Sequence, residues 1–409
     1  MLIGLFFLMI MGVIPLFLKS NSRNKDIYYG ELVSLIIPVF NDGDILEKNL
    51  ENLLKLKYPN FEIIIVYSEK STDNTQEVAL RFARKYENVR AYSENISKAN
   101  ALNIGIEKAK GEFLLFLDSD SLILDGFIED ALSYFDDDDI KLVNGCPIGL
   151  NATQNLTTRL CWSITNFISF CGIGANKLFK HVGFQGFGGI WRKSALIECG
   201  MFKVDSATED SELNLRISSK FPKWKGVFGN HLYCYYYYPT DFTALYLQLE
   251  RWSSGNLSYI SHLLKNIFGN FKMGFRHKFI YISQFTMTIL LPIISWVSIG
   301  MSIVQFFVNF FEPDISFGGG LFFFLLGIIS LIISFLVMLI FTYPKYYGDS
   351  RIKLSKTYII IGVFGIVYLI GLIFGIASLN ALKRQFFKKK TSEIFYKVDK
   401  SNIQTPHIS

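Results

Sequence analysis

The chain has few cysteines, and their number and spacing exclude a disulfide framework. Among 409 residues only five are cysteines, and no two form a Cys-x-x-Cys pair; they are Cys146, Cys161, Cys171, Cys199 and Cys234. Domains held by disulfides carry paired cysteines and occur in oxidising compartments. We therefore predict reduced, structural cysteines in a domain that lies in the cytosol.

Two common phosphate-binding signatures are also missing. No GxGxxG motif follows the first predicted strand and no GxxxxGK[ST] motif occurs, which excludes a dinucleotide fingerprint and a P-loop. The formal net charge is only +6, and much of the basic excess lies in residues 344–356 and 383–390, beside hydrophobic stretches. Basic residues in such places usually orient membrane segments and contact anionic lipid, so we expect membrane lipid and no nucleic acid as a partner.

Long apolar stretches are abundant, and the first lies near the N-terminus. Residues 2–18 carry no charge and are followed by Lys19, Arg23 and Lys25, an order that keeps the basic side in the cytoplasm. A cleaved signal peptide would have a basic start and a small-residue cleavage site, which this segment lacks. We therefore predict a transmembrane anchor within residues 1–25.

Three more hydrophobic stretches, 279–311, 319–343 and 357–380, reach the ~20 residues needed to cross a bilayer. We predict an integral, multi-pass cell-membrane protein with four spans, a cytosolic domain at 26–270, a membrane region at 271–382 and a basic tail at 383–409. A full last span would put that tail outside, against the usual charge bias. The stretch 279–311, interrupted by Pro292, could instead be re-entrant or interfacial.

Strand and helix patterns alternate between the membrane stretches. Apolar strand patterns occupy 33–40, 61–67, 89–93 and 113–117, and helical patterns occupy 43–59, 71–86 and 98–110. This alternation predicts an α/β fold, a Rossmann-like and mostly parallel sheet with helices on both faces. Farther on, 156–179 and 208–221 are predicted helices, and 183–196 is glycine-rich.

The stretch FLLFLDSDSLIL, residues 113–124, sets Asp118 and Asp120 two apart after a buried strand. The carboxyl edge of a parallel sheet is where ligands bind in open α/β folds. Two close carboxylates repel each other and need a cation, and oxygen ligands on a short loop suit Mg²⁺ or Mn²⁺ shared with a phosphate. The alternative is a solvated turn that caps the next helix.

Five short motifs together resemble the membrane-bound family-2 glycosyltransferases, the group of poly-N-acetylglucosamine, hyaluronan and cellulose synthases and ceramide glucosyltransferase. They are PVFND (38–42), KANALN (98–103), DSD (118–120), TED (208–210) and QLERW (248–252), and they occur in the family's order and spacing. Each motif alone has a structural alternative, such as a capping turn for TED or an interfacial anchor for the Arg-Trp pair. The resemblance covers about residues 33–260 and implies a GT-A fold.

The resemblance also implies roles for individual residues. Asp118 and Asp120 resemble the metal-binding pair, and Asp210 resembles the catalytic base, with Glu209 beside it in the catalytic motif. Trp252 and Gly186 would contact the acceptor. The residues that would bind the nucleotide-sugar donor are Pro38, Val39, Phe40, Asp42, Glu69, Lys98, Asp118, Ser119, Asp120, Gln248 and Arg251.

Two departures from the family pattern concern the donor. Glu69 and Lys70 stand where the family usually has the Asp-Gly of a turn whose aspartate contacts uracil, and Ile96 and Ser97 replace a common Arg-Gly before Lys98. Glutamate can still accept a hydrogen bond from a base N–H group, but it is one methylene longer than aspartate. One contact to the diphosphate is expected to be lost.

The function implied is that of an inverting, metal-dependent glycosyltransferase that uses a nucleotide-sugar, with UDP as the expected nucleotide. QxxRW favours processive synthesis of a β-linked polysaccharide, and four spans form a narrow bundle that an accessory subunit or oligomer would widen. Single transfer to a lipid acceptor is the alternative among enzymes, and an inactive membrane scaffold is the alternative of another class. The four tyrosines at 235–238 could line the acceptor entrance or form an interfacial belt.

Overall fold

The computed structural model describes residues 30–206, 208–258 and 273–285, and the single positions 264, 269, 376, 379, 380 and 383. The predicted anchor and the stretch 319–343 lie outside the described residues, as does most of 279–311 and 357–380. Within the described part of the chain, no helix is both long enough and apolar enough to cross a membrane. The four-span arrangement therefore stays a prediction.

The first half of the domain alternates strands and helices as the sequence predicts. The strands are β1 (Val33–Val39), β2 (Phe61–Ser68), β3 (Val89–Glu94) and β4 (Phe113–Phe116), and the helices are α1 (Gly43–Leu53), α2 (Thr75–Lys85), α3 (Lys98–Lys108) and α4 (Phe127–Leu132). β1 pairs in parallel with β2 and β4, and β2 pairs in parallel with β3. These four strands are the predicted parallel half of the sheet.

The second half adds strands that the sequence did not reveal. They are β5 (Ile140–Gly149), β6 (Gly189–Arg192) and β7 (Lys225–Tyr236), with helices α5 (Leu156–Phe179), α6 (Lys193–Glu198), α7 (Glu209–Lys220), α8 (Phe242–Ser258) and α9 (Phe275–Phe285). The order across the single seven-stranded sheet is β3-β2-β1-β4-β6-β5-β7. β6 is antiparallel to both neighbours, whereas β5 and β7 are parallel, so the sheet is mostly parallel and the predicted α/β class is confirmed.

Apolar residues pack on both faces of the sheet. Alternate residues of β1 point to opposite sides, since Leu35 packs with α1 and α2 while Ile36 packs with α3 and α7. A third group, which we call the aromatic cluster, lies between α5, α8 and β7. Its buried members include Trp162, Tyr235, Tyr238, Leu245 and Leu249, and Tyr233, Tyr236, Tyr246 and Trp252 pack at its margin.

Two helix boundaries differ from prediction by four residues or more. α1 ends at Leu53, well before Pro59, and α2 begins at Thr75 rather than at residue 71. Asp73 accounts for the later start of α2, because its carboxylate accepts hydrogen bonds from the Thr75 amide at 3.1 Å and the Thr75 hydroxyl at 2.5 Å. α5 spans 156–179 as predicted and begins with a capping box between Asn155 and Thr158.

The buried aromatic residues and cysteines are packing residues. Trp162 and Trp191 are buried, and the ring of Trp224 stacks on that of Phe221 with 4.1 Å between the ring centroids. All three tryptophans pack within the fold. The four cysteines that the structure describes in full, Cys146, Cys161, Cys199 and Cys234, are free and buried, which agrees with the prediction of structural thiols. Tyr235 and Tyr238 also lie in the core, so for these two the prediction of an entrance or interfacial belt is wrong.

Candidate functional site

The DSD motif lies at the carboxyl end of β4, as the sequence predicts. β4 pairs in parallel with β1, and the Leu117 amide extends the pairing by donating to the Ile36 carbonyl at 3.0 Å. The chain leaves the sheet at Asp118, at the edge where β1 ends at Val39. The PVFND and DSD motifs therefore meet at one edge of the sheet.

Hydrogen bonds to neighbouring elements hold the DSD loop. The Ser119 hydroxyl donates to Asp42 Oδ2 at 2.7 Å, and Asn49 Nδ2 donates to the Ser119 carbonyl at 3.1 Å. The Asp118 amide donates to Ser121 Oγ at 3.2 Å. These three bonds use none of the carboxylate oxygens of Asp118, so the loop backbone is fixed while that carboxylate faces the other motifs.

The second carboxylate of the motif is connected to β7. Asp120 is buried, with 8% of its surface exposed, and its Oδ2 accepts a long hydrogen bond from the Tyr237 amide at 3.4 Å. Tyr237 follows the last residue of β7. The tyrosine run thus contributes a backbone amide to the site, a role that side-chain patterns in the sequence do not reveal.

Lys98 connects the DSD and TED motifs. Its ammonium donates to Asp118 Oδ1 at 2.6 Å and lies 3.9 Å from Glu209 Oε1. Burial on its own would lower the pKa of Lys98, but the Asp118 and Glu209 carboxylates outweigh it and raise that pKa above its ordinary value. Lys98 is therefore a permanent cation in the middle of the site.

Asp210 has the electrostatic environment of a base that works near neutral pH. Burial, reinforced by the adjacent Glu209 carboxylate, raises the pKa of Asp210 to about 6, although the Ser211 amide and the charges of Lys98 and Arg251 act in the opposite direction. A base with a pKa near the working pH combines sufficient basicity with a large ionised fraction. Both acids lie in the first turn of α7.

The glycine-rich segment leaves space beside Asp210. Gly186 has a φ of +87°, and a Cβ atom at this position would lie 3.4 Å from Asp210 Oδ2. Any other residue would meet both backbone strain and a carboxylate oxygen in van der Waals contact. This geometry is consistent with the predicted place of Gly186 near an acceptor, a role that stays a prediction.

The QLERW motif lies on α8, which packs against the TED motif. Gly255 allows this approach, because a Cβ atom there would clash with the Thr208 side chain. Gln248, Arg251 and Trp252 are all partly exposed. The Arg251 charge is close enough to affect both Lys98 and Asp210, whereas Trp252 packs against the margin of the aromatic cluster. The predicted helix thus brings Arg251 to the site.

The loop after β1 is locked to the turn before α2. The Asp42 amide donates to Thr75 Oγ1 at 3.0 Å and the Gly43 amide donates to Asp73 Oδ2 at 3.1 Å. Asn41 has a φ of +51°, and its Oδ1 accepts a hydrogen bond from the Thr72 amide at 2.7 Å. This turn orients Asp42 toward Ser119. Pro38 and Val39 end β1 beside it, and Phe40 follows.

Glu69 lies in the exposed turn after β2. Its Oε1 accepts a hydrogen bond from the Ser93 hydroxyl at 2.7 Å. At the end of β3, the buried Glu94 carboxylate accepts from the Ile96 and Ser97 amides at 2.7 and 2.9 Å. Ser97 caps α3 by accepting from the Asn100 amide, so the departures at 96 and 97 have a structural role that the motif comparison did not indicate.

The donor set of the DSD loop fits a hard divalent cation. Asp118 and Asp120 offer two carboxylates, and Mg²⁺ is usually bound by one or two protein carboxylates together with phosphate oxygens and water. The described residues contain no group of three or more His, Cys, Asp or Glu side chains arranged as metal ligands.

Comparisons with known proteins agree with this geometry. Residues 34–200 match the family model described as glycosyl transferase family 2. The poly-beta-1,6-N-acetyl-D-glucosamine synthase of Staphylococcus aureus strain MSSA476 is 27% identical over 262 residues, 62% of this chain and 61% of that protein. Glycosyltransferase GlyG of Streptococcus pneumoniae serotype 4 is 37% identical over 117 residues, 28% of this chain and 38% of that protein.

A solved structure supports the fold. The mannosyltransferase PcManGT from Pyrobaculum calidifontis, in complex with GDP-Man and Mn²⁺, superimposes with a TM-score of 0.61 over 95% of each chain at 14% identity. At this identity the likeness concerns the fold alone, a GT-A-like α/β domain. The alignment to the staphylococcal synthase spans less than two thirds of that protein's length.

Proposed function

Residues 34–200 form a glycosyl transferase family 2 domain, and from this premise we propose that the protein transfers a sugar from a nucleotide-sugar, with UDP as the expected nucleotide, to a hydroxyl acceptor at the membrane. The observation that carries the proposal is the meeting of three motifs at one site. Lys98 joins Asp118 to Glu209, and Asp210, beside Glu209, has a pKa raised to about 6.

Asp210 is the proposed base. Its carboxylate would accept the proton of the acceptor hydroxyl as that oxygen attacks the anomeric carbon and the nucleoside diphosphate leaves. A single displacement of this kind inverts the configuration of the sugar. Gly186 leaves the space beside Asp210 Oδ2 that an acceptor hydroxyl needs.

The cations of the site would stabilise the leaving diphosphate. Lys98 pairs with Asp118, and the charges of Lys98 and Arg251 both act on Asp210. A guanidinium such as that of Arg251 suits the two oxygens of a phosphate. Asp118 and Asp120 would hold Mg²⁺ or Mn²⁺, whose Lewis acidity neutralises charge on the diphosphate. Asp42, which accepts from Ser119, would keep the loop in place on the donor side.

We propose further that the product is a β-linked polysaccharide made processively. The support is the similarity to the staphylococcal synthase of a β-1,6-linked N-acetylglucosamine polymer and the position of Trp252 one residue after Arg251. Trp252 packs on the aromatic cluster while keeping part of its surface exposed, and aromatic rings stack on the apolar faces of sugars. A lipid acceptor that receives a single sugar is the alternative.

The test is to incubate membranes containing the full-length protein with a panel of labelled UDP-, GDP- and dTDP-sugars and to size the product. The expected result is high-mass product from a UDP-sugar, sensitive to EDTA and restored by Mg²⁺ or Mn²⁺. A singly glycosylated, organic-extractable product under excess donor would replace processivity with lipid glycosylation. Absence of sugar transfer with every donor, from protein shown to be folded, would contradict the proposed activity.

A further inference from the structure

Lys98 occupies an unfavourable position for a cation within its own helix. It is the first residue of α3, directly after the N-cap Ser97, and the first turn of α3 contains no acidic residue. The amino end of a helix carries partial positive charge, so a lysine there is disfavoured by the helix itself. The compensating interaction comes from outside α3, through Asp118 at 2.6 Å.

The DSD loop does not depend on Lys98 for its shape. The loop backbone is held by Asn49, which donates to the Ser119 carbonyl, and by the Asp118 amide, which donates to Ser121. The Ser119 hydroxyl adds a bond to Asp42. Lys98 is hydrogen-bonded to the loop through the side chain of Asp118, so opening this ion pair would break none of these loop contacts.

The Lys98 side chain is partly exposed, and a second carboxylate lies near its ammonium. The Lys98 side chain is 26% exposed and that of Asp118 is 36% exposed, so both reach solvent. Its second acidic neighbour, Glu209, lies 3.9 Å from Nζ. An ammonium that left Asp118 would therefore remain close to negative charge.

We propose that Lys98 is an exchangeable counter-cation: it neutralises Asp118 while the donor site is empty, and it moves to the donor diphosphate when a divalent cation takes that carboxylate. The proposal rests on the proposed function and adds a regulation of the same site. A divalent ion and an ammonium on one carboxylate repel each other. Lys98 thus weakens metal binding in the absence of nucleotide and strengthens nucleotide binding once the metal is present.

The first measurement is Mn²⁺ binding without nucleotide, monitored by electron paramagnetic resonance on the full-length protein in detergent. Lys98→Met should bind Mn²⁺ roughly tenfold more tightly than wild type because the competing charge is gone. Lys98→Arg keeps the charge and should bind Mn²⁺ as weakly as wild type. Lys57→Met is the matched control, since Lys57 pairs at 3.0 Å with Asp125 on the exposed surface; its Mn²⁺ affinity should not change.

The second measurement is UDP binding at saturating Mn²⁺, where Lys98→Met should lose about tenfold in affinity. Thermal unfolding of each variant establishes that it is folded. If Lys98→Met does not fold, Lys98→Gln is used in its place. Unchanged or weaker Mn²⁺ binding by the uncharged variant, while wild type binds both Mn²⁺ and UDP, would overturn the exchange but leave the proposed function intact. Failure of folded wild type to bind UDP with Mn²⁺ would overturn the proposed function and the exchange with it.

Discussion

Replacing Glu209 by glutamine tests whether its carboxylate sets the ionisation of the proposed base. Asp210 has an ordinary pKa of 3.8, and its environment raises that pKa to about 6. Burial is the largest cause and the Glu209 charge is the second, while Lys98 and Arg251 lower the pKa. The substitution removes the charge of the neighbour and preserves its size, so burial of Asp210 should be nearly unchanged.

The expected effect is a downward shift of the Asp210 pKa by roughly one unit, equivalent to about 1.4 kcal/mol. The sign follows from the role of the group: a base must be ionised, and a lower pKa keeps it ionised at lower pH. The acidic limb of kcat/KM against pH should therefore move to lower pH. At pH 5, lowering the Asp210 pKa by one unit from about 6 raises the ionised fraction of Asp210 from about one tenth to about one half.

The assay is the pH dependence of kcat/KM for sugar transfer, because that ratio reports the ionisation of the free enzyme. Glu209 also lies 3.9 Å from Lys98, so the height of the profile is expected to fall, and the midpoint is the quantity to compare. Glu47→Gln is the control, since Glu47 pairs with Arg81 in a partly exposed ion pair between α1 and α2. An acidic midpoint that stays fixed or rises in active Glu209→Gln would refute the reasoning.

Four further outcomes are expected. Asp120→Asn should lose Mn²⁺ binding and turnover together, and full activity of this variant in EDTA would contradict the metal assignment. Asp210→Asn should keep UDP affinity while kcat falls by about 10²–10⁴; equal loss of binding would indicate a structural residue instead. Trp252→Ala should lose about 1 kcal/mol of acceptor binding and shorten the product before donor cleavage slows; full-length product would argue against stacking. Gly43→Ala should destabilise the fold by roughly 1–3 kcal/mol in thermal unfolding, because a Cβ there would clash with the Asn74 side chain and lie 2.7 Å from a backbone nitrogen; an unchanged melting temperature would show that the turn can relax.

The parallel half of the fold was predictable because each of its signals is local. β1 and β2 are nearly continuous apolar runs that are buried on both faces, and α1 and α2 present apolar residues at helical spacing. β5 and β7 are harder to predict because they pair with each other across a large sequence separation, and their pairing shifts register between Ile140 and Leu142 and between Asn144 and Cys146. β6 has only four residues, and its antiparallel place between β4 and β5 depends on tertiary contacts.

The candidate site was predictable residue by residue but not as an arrangement. The motifs identified Asp118, Asp210 and Arg251, and the order of strands placed the first of these at a sheet edge. Motifs do not contain the distances across loops that make Lys98 a bridge between two carboxylates. They also do not show the backbone amide of Tyr237, which donates to Asp120, because any residue at that position could supply it.

The family match covers the proposed donor side of the site but not the proposed acceptor side. The matched residues end at 200, so the DSD loop lies inside the match while Asp210 and Trp252 follow it. α8 packs through Gly255 against Thr208, and Tyr281 of α9 is hydrogen-bonded at 3.2 Å to a serine of α7. The proposed base and the proposed acceptor platform are therefore joined to the helix that leads into the predicted membrane region. Acceptor contacts would therefore depend on how these later helices pack, whereas the donor motifs would bind only the nucleotide-sugar.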